Sequence, residues 1–285
     1  MVSPGGEAMS PGFKKGRAAR DFKIGMLMPD SHHLSEIQHR APYLQYQDLS
    51  QYHQLKHGTF TRHGGTSHSP YDSLNTSDTV GDSRKNVAAN LMIIKHAMGA
   101  RQILFTRQTH GTEVLIIDTE TTETFGSPRQ ADAMITSMLG VGLMINQADC
   151  QAVILFDPAK NVIANVHCGW RGNVQNILGL VVRKMANRFD CRAEDLVAAI
   201  GPSLGPCCAE FITHRDIFPP DFEDFRVSES HFDLWRLSSH QLIMEGVNPD
   251  NITVSEICTR CHTDRFFSYR GEGVTGRFGT VVMLK

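Results

Sequence analysis

An α/β fold with mixed, buried sheets in a single domain is what this sequence predicts, on three observations. Short apolar runs at 133–136, 141–145, 152–156 and 162–166 include several without alternation, the pattern of strands covered on both faces. Longer stretches at 87–98 and 174–189 repeat apolar residues at helical spacing. The two kinds of element interleave irregularly, which argues for a mixed sheet over a doubly wound parallel one. With 285 residues, 41% of them hydrophobic, the chain can bury a substantial core.

In chain order, residues 1–20 are rich in Gly, Pro and basic side chains and read as a mobile tail, while 34–54 carry tyrosines and histidines but no repeat or motif. An N-terminal tail and extension at 1–55, partly disordered, is therefore expected ahead of a domain at 56–285. Asp82 or Ser83 can cap a helix whose stripe is Val87, Leu91, Ile94 and Met98, and Gly99 supplies its stop. Runs at 103–106 and 114–117 flank the segment QTHG at 108–111, so two strands are expected to meet there. The four apolar runs named above follow as strands. Past Gly172, Val174, Ile177, Leu178, Val181, Val182, Met185 and Phe189 describe an amphipathic helix leaving a strand through a glycine turn. A strand at 196–200 ends in Gly-Pro-Ser. Asp233 opens a helix running to Gly246 ahead of Pro249, and 252–257 returns as a strand.

Charge and hydropathy exclude several classes of partner. Lys+Arg 28 against Asp+Glu 30 gives a net charge of -2 without a long like-charged block, so no nucleic-acid footprint is present. No apolar run approaches the ~20 residues that span a bilayer, and the basic start lacks the roughly 7–15-residue apolar stretch of a secretory signal. No membrane association and a cytoplasmic location are expected. Seven cysteines in varied contexts read as reduced thiols. Cys258-Thr-Arg-Cys261-His262 satisfies the C-x-x-C-H pattern of c-type haem attachment, but that goes with export, and a half-buried thiol pair is the better reading. A zinc site from these two thiols ranks third, for want of a second C-x-x-C.

Three segments carry the chemistry: QTHG with His110, ADC at 148–150 with Cys150, and HCGWRG at 167–172 with His167. Imidazole, thiolate and imidazole are what zinc takes when three protein ligands leave a fourth position open. Taken singly, each has a plainer reading: a turn histidine, a small buried hydrophobe, a core imidazole bonded to a carbonyl. Asp149, charged between two apolar strands, suggests a hydrogen bond to a ligand or a loop cap. Arg171, near a helix start, suits an oxyanion such as phosphate, with a surface ion pair as the alternative. Arg62 and Arg270 are further phosphate candidates and Tyr269 a stacking partner for a base, against structural ion pairs and a core aromatic.

These motifs resemble those of the laccase-domain-containing family, once called multicopper polyphenol oxidases and now regarded as purine nucleoside phosphorylases. The resemblance runs from Arg62-His63-Gly64-Gly65 through QTHG, ADC, HCGWRG and Ile200-Gly201-Pro202-Ser203 to Cys258-Thr259 and FFSYR at 266–270. It implies a layered α/β/β/α sandwich, His110, Cys150 and His167 as ligands of Zn2+, and Cys258-Thr259 in a structural turn. It also implies phosphorolysis of adenosine, inosine and methylthioadenosine to free base and ribose 1-phosphate, with deamination of adenosine alongside. A purine nucleoside and phosphate are then the partners. A copper-dependent polyphenol oxidase holding Cu2+ ranks lower, because the 14 histidines contain no H-x-H pair of a trinuclear cluster. A metal-free hydrolase with Cys150 as nucleophile and His167 or His110 as base, and a non-catalytic nucleoside- or metal-binding module, complete the alternatives.

Overall fold

The computed structural model describes residues 33–124 and 128–285, whose contacts cluster in a unit spanning Ser31–Lys285. The reading of 1–20 as a tail lies outside the described residues. In chain order the strands are β1 (Leu34–Ile37), β2 (Tyr43–Tyr46), β3 (Leu55–Phe60), β4 (Gln102–Phe105), β5 (Val114–Ile117), β6 (Ala133–Thr136), β7 (Val141–Gln147), β8 (Gln151–Asp157), β9 (Val162–Cys168), β10 (Val197–Ile200), β11 (Ile252–Val254) and β12 (Phe278–Leu284). One sheet runs β1-β2-β3-β12-β7-β4 and the other β11-β10-β8-β9-β6-β5. Both are mixed: β4–β7, β5–β6 and β10–β11 are parallel pairs among antiparallel ones.

Alternation along the central strands builds the layers. Ala152, Ile154 and Phe156 of β8 share a core with Leu143, Ile145 and Val282 of the other sheet. Val153 and Leu155, one position out of phase, pack instead with Leu178, Val182 and Met185 of the helix Ile177–Phe189. On the far side of the first sheet, Met144 and Val281 meet Ile94 and Met98 of the helix Arg84–Met98. The result is the α/β/β/α sandwich, its central strands covered on both faces. Asn165 joins the two sheets from within: its buried Nδ2 donates to Leu143 O and Thr280 O, each at 2.9 Å. Among the described residues no helix is long and apolar enough to cross a membrane.

Several local expectations shift. Residues 34–50 supply β1, β2 and the short helix Gln47–Ser50, and β12 occupies the middle of its sheet between β3 and β7. Ser83 stands at the start of the Arg84–Met98 helix without a side-chain cap, and the Asp82 carboxylate, the other candidate, accepts from Ser67 Oγ at 2.6 Å and Asn75 Nδ2 at 2.9 Å. Gly99 ends that helix at φ +63°, as its position suggests. The helix read across 174–189 is broken into Trp170–Val174 and Ile177–Phe189 by Asn176, which sits at φ +49° and accepts from Gly179 N at 3.0 Å. Gly271, Gly273 and Gly276 have the spacing of a dinucleotide-binding loop, yet they run from within the short helix Tyr269–Glu272 towards β12, the reverse of the strand-to-helix order that loop requires.

Arg62-His63-Gly64-Gly65 forms a close-packed corner after β3. Gly64 takes φ +85°, and a Cβ there would lie 1.8 Å from Arg40 O, while one on Gly65 would lie 2.1 Å from Ser73 O. Both obstacles are backbone, which cannot rotate away. Gly65→Ala is therefore expected to destabilise the protein by about 1–3 kcal/mol, the usual cost of overpacking, seen as a lower urea midpoint. An unchanged midpoint would show that this corner opens freely.

Candidate metal centre

Two chain crossings between the sheets occur at one end of the sandwich, and each carries a candidate ligand. QTHG leads from β4 in one sheet to β5 in the other, and Ala148-Asp149-Cys150 leads from β7 to β8. His167 joins them from β9, where it faces Ala152 of β8 in register. The crossings are sharp enough to place His110 at φ +60° and Asp149 at φ +88°, a region non-glycine residues seldom adopt. The ligand atoms of His110, Cys150 and His167 lie within 4.8 Å of one another. Cys150 Sγ is 3.8 Å from His110 Nε2, and the two imidazoles meet edge to face with centroids 4.9 Å apart. Gly169 permits this approach: a Cβ there would stand 2.9 Å from Cys150 Sγ and 3.3 Å from His110 Cδ2.

The carboxylate that organises the trio is Asp132, which the sequence reading did not single out. It is fully buried at the entry to β6 and accepts from Thr109 N at 3.1 Å, Thr109 Oγ1 at 3.0 Å, His110 N at 2.9 Å and Gly111 N at 2.9 Å. His167 Nδ1 bonds to the same carboxylate at 2.9 Å, and His167 N donates to Asp132 O at 2.7 Å. One residue thereby shapes the QTHG turn and orients the His167 ring, leaving its Nε2 for a metal. A lone charge between Ala131 and the apolar run of β6 was the available signal, the same kind that drew attention to Asp149. The Asp149 carboxylate takes the loop-capping alternative: it accepts from Thr259 Oγ1 and Ser268 Oγ, each at 2.7 Å, and from Arg270 N at 2.5 Å.

Electrostatics favours charge on all three of Asp132, His167 and Cys150. Burial acts to raise the Asp132 carboxyl, but His167 and the N–H groups of Gly111 and Thr109 outweigh it and hold the group down at about 2. Burial likewise opposes charge on His167 and Cys150. Their mutual attraction, with Asp132 behind His167 and His110 beside Cys150, raises the imidazole to about 9 and lowers the thiol to about 6. A thiolate flanked by two imidazoles is a donor set that fits zinc with one position open.

The trio opens into a cavity of about 640 Å³, a volume that suits a small-molecule ligand. Arg171, Tyr269 and Arg270 line it, as does Arg277, which the sequence reading missed. Tyr269 is 61% exposed, so its ring is not packed in the core, and the Arg277 guanidinium stands over it with Cζ 5.9 Å from the centroid. The Arg270 guanidinium lies over Phe211 and donates to Glu210 O at 2.9 Å. Arg277 donates to Thr275 O at 3.1 Å and Gly276 O at 2.8 Å. Arg171 stacks on Trp170 with its Cζ 4.3 Å from the ring centroid, and among the described residues nothing accepts a hydrogen bond from its guanidinium. Arg62, expected as a phosphate contact, is placed elsewhere. It lies outside this cavity, buried, donating to Asp72 O, Thr263 O and the Glu272 carboxylate at 2.7–3.0 Å. Its Nε and Nη1 thereby tie the segment after β3 to residues 72, 263 and 272.

Residues 56–285 match the family described as multi-copper polyphenol oxidoreductase laccase. A Bacteroides thetaiotaomicron protein named purine nucleoside phosphorylase is 32% identical over 260 residues, 85% of this chain and 96% of its own length. A protein from an unknown prokaryotic organism, named adenosine deaminase RL5, is 29% identical over 232 residues, 75% of this chain and 88% of its own. Among solved structures, the hypothetical protein YfiH of Bacillus licheniformis superposes with a TM-score of 0.80 at 25% identity, covering 89% of this chain and 100% of that one.

Asp132 makes stability pH-dependent in a defined window. An unfolded aspartate titrates near 3.8 and this one near 2, so its contribution is complete above about pH 4 and disappears as the pH falls towards 2. Asp132→Asn should flatten the loss of urea resistance over that range relative to the parent protein. Parallel curves would mean that the fold does not hold Asp132 ionised.

Proposed function

This chain belongs to the multi-copper polyphenol oxidoreductase laccase family, and from that premise we propose that it is a zinc-dependent purine nucleoside phosphorylase that also deaminates adenosine. Adenosine, inosine and methylthioadenosine are the substrates, with phosphate as the attacking group. The observation that carries this reading is the His110, Cys150 and His167 trio opening into a cavity that also presents an exposed tyrosine ring and an uncommitted guanidinium. The relatives named purine nucleoside phosphorylase and adenosine deaminase support the substrate class.

His110, Cys150 and His167 would hold the zinc, with Asp132 fixing the ring of His167. When bound, zinc supplies Lewis acidity at its open position, where the ionisation of water falls to about neutral pH. The chain's own groups do the rest. Tyr269 offers a ring face for the purine. Arg171 is the guanidinium suited to phosphate, since Arg62, Arg270 and Arg277 spend donors on protein oxygens whereas Arg171 donates to none among the described residues. Asp149, by receiving Arg270 N, sets the loop that carries both Tyr269 and Arg270.

Zinc is favoured over copper by the surroundings of the trio. Among the described residues lining the cavity there is no methionine to serve as the weak axial ligand of a copper site, and no H-x-H pair occurs in the chain. One observation favours a second reading: Cys150, with its thiol lowered to about 6 and His110 at 3.8 Å, has the form of a metal-free nucleophile and base.

Adenosine with phosphate is expected to yield adenine and ribose 1-phosphate, and inosine is expected to form whether or not phosphate is present. Cys150→Ala should lose both turnover and the metal bound at the trio; turnover lost from a protein that carried no metal there would favour the nucleophile reading. If metal-replete protein produces neither adenine nor inosine, the purine assignment fails.

Arg171→Ala should raise the phosphate KM about ten-fold, equivalent to ~1.4 kcal/mol at a solvent-exposed guanidinium, while leaving kcat/KM for deamination within about two-fold. Equal losses in the two reactions would remove Arg171 from the phosphate site.

A further inference from the structure

Four of the seven cysteines converge at a second place, outside the cavity. Cys207 and Cys208 lie in the turn that follows β10, and Cys258 and Cys261 in the loop that follows β11. Cys207 Sγ and Cys208 Sγ are each 3.6 Å from Cys261 Sγ, and all four sulfurs lie within 4.8 Å of one another. A disulfide requires about 2.05 Å and would account for two of the four. Zinc–thiolate bonds of about 2.3 Å set the sulfurs of a tetrahedral site roughly 3.8 Å apart, which matches the whole cluster. The second thiol pair that Cys258 and Cys261 lacked in the sequence is thus an adjacent pair on another loop.

Backbone N–H groups of Gly205 and Cys261 point at the Cys258 sulfur. The two loops are already zipped together: Ser203 N donates to Ile257 O at 3.1 Å and Thr259 N to Ser203 O at 3.0 Å. Gly205 allows the contact, since a Cβ there would lie 2.7 Å from the Trp235 ring and 3.1 Å from Cys258 Cβ. Cys208 and Cys258 are buried while Cys207 and Cys261 are exposed, so the cluster is reachable by a metal from solvent.

We propose that Cys207, Cys208, Cys258 and Cys261 bind a structural zinc ion with a closed four-thiolate shell. Binding replaces four thiol protons with one Zn2+, each thiolate supplies both electrons of its bond, and no oxidant or reductant takes part. The ion clamps the wall of the cavity beside Cys150. Leu204 N donates to Asp149 O at 2.8 Å and Thr259 Oγ1 to the Asp149 carboxylate at 2.7 Å, so both tied loops hold the residue that precedes Cys150.

The test is the zinc content of the full-length protein, purified without chelator and read by mass spectrometry of the metal. The double variant Cys207→Ser with Cys261→Ser should carry one zinc equivalent fewer per chain than the parent, whatever the trio holds, and Cys150→Ala should keep that equivalent. Cobalt-loaded Cys150→Ala should show the intense visible bands and thiolate-to-cobalt charge transfer of a tetrahedral thiolate site, a readout that does not depend on the folding of the double variant. Unchanged zinc in the double variant, or cobalt-loaded Cys150→Ala without those bands, would overturn the proposal. So would alkylation of the unreduced, denatured chain that leaves two of these four cysteines unlabelled, because that pair would be a disulfide.

Discussion

Asp132 is the group on which the candidate centre depends. A fully buried carboxylate is costly to desolvate unless donors surround it, and here three backbone N–H groups, one hydroxyl and one imidazole do so. Those donors come from two elements that the sandwich keeps apart, the QTHG crossing and the end of β9. The charge therefore acts as a hub: satisfying it forces the turn into the shape that presents His110 and turns the His167 ring so that Nε2 faces Cys150. The same carboxylate favours positive charge on His167, which in turn favours the Cys150 thiolate. Geometry and ionisation at the trio have one origin.

Around that hub, glycine and crossing loops supply the space. The two sheets each contribute strands to one end of the sandwich, and the chain passes between them twice within reach of β9. Residues at those passages cannot take ordinary strand conformations, which is why His110 and Asp149 sit at positive φ. Gly169 removes the one Cβ that would separate Cys150 from His110. Asp149 then draws in Thr259, Ser268 and Arg270 N, so the segments Cys258-Thr259 and FFSYR serve the centre by fixing the loop beside it rather than by touching its ligands.

Two guanidinium groups illustrate how environment, rather than residue type, separates structure from chemistry. Arg62 and Arg171 look alike in a sequence, each within two residues of a glycine. Arg62 is buried with Nε and Nη1 donating to Asp72 O, Thr263 O and Glu272, whereas Arg171 stacks on Trp170 at the cavity and donates to none of the described residues. A donor already committed to a carbonyl in a buried corner is not available to a phosphate without leaving that carbonyl unpaired.

What the amino-acid sequence determined by itself is local and periodic. The stripe Val87, Ile94 and Met98, the glycine stop at Gly99, the Asp233 cap and the apolar runs of β6 to β10 were legible because neighbours a few residues apart impose them. The motifs around His110, Cys150 and His167 were legible too, since a resemblance needs only contiguous residues. Strand β12 was not, because its partners lie far along the chain: Thr280 pairs with Thr59. The same reason hid Asp132 as the orienting carboxylate, left Arg62 and Arg171 undistinguished by their surroundings, and concealed a thiol cluster whose halves stand 54 positions apart. Which donors a buried charge receives, and which sulfurs share a space, is set only when the two sheets close on one another.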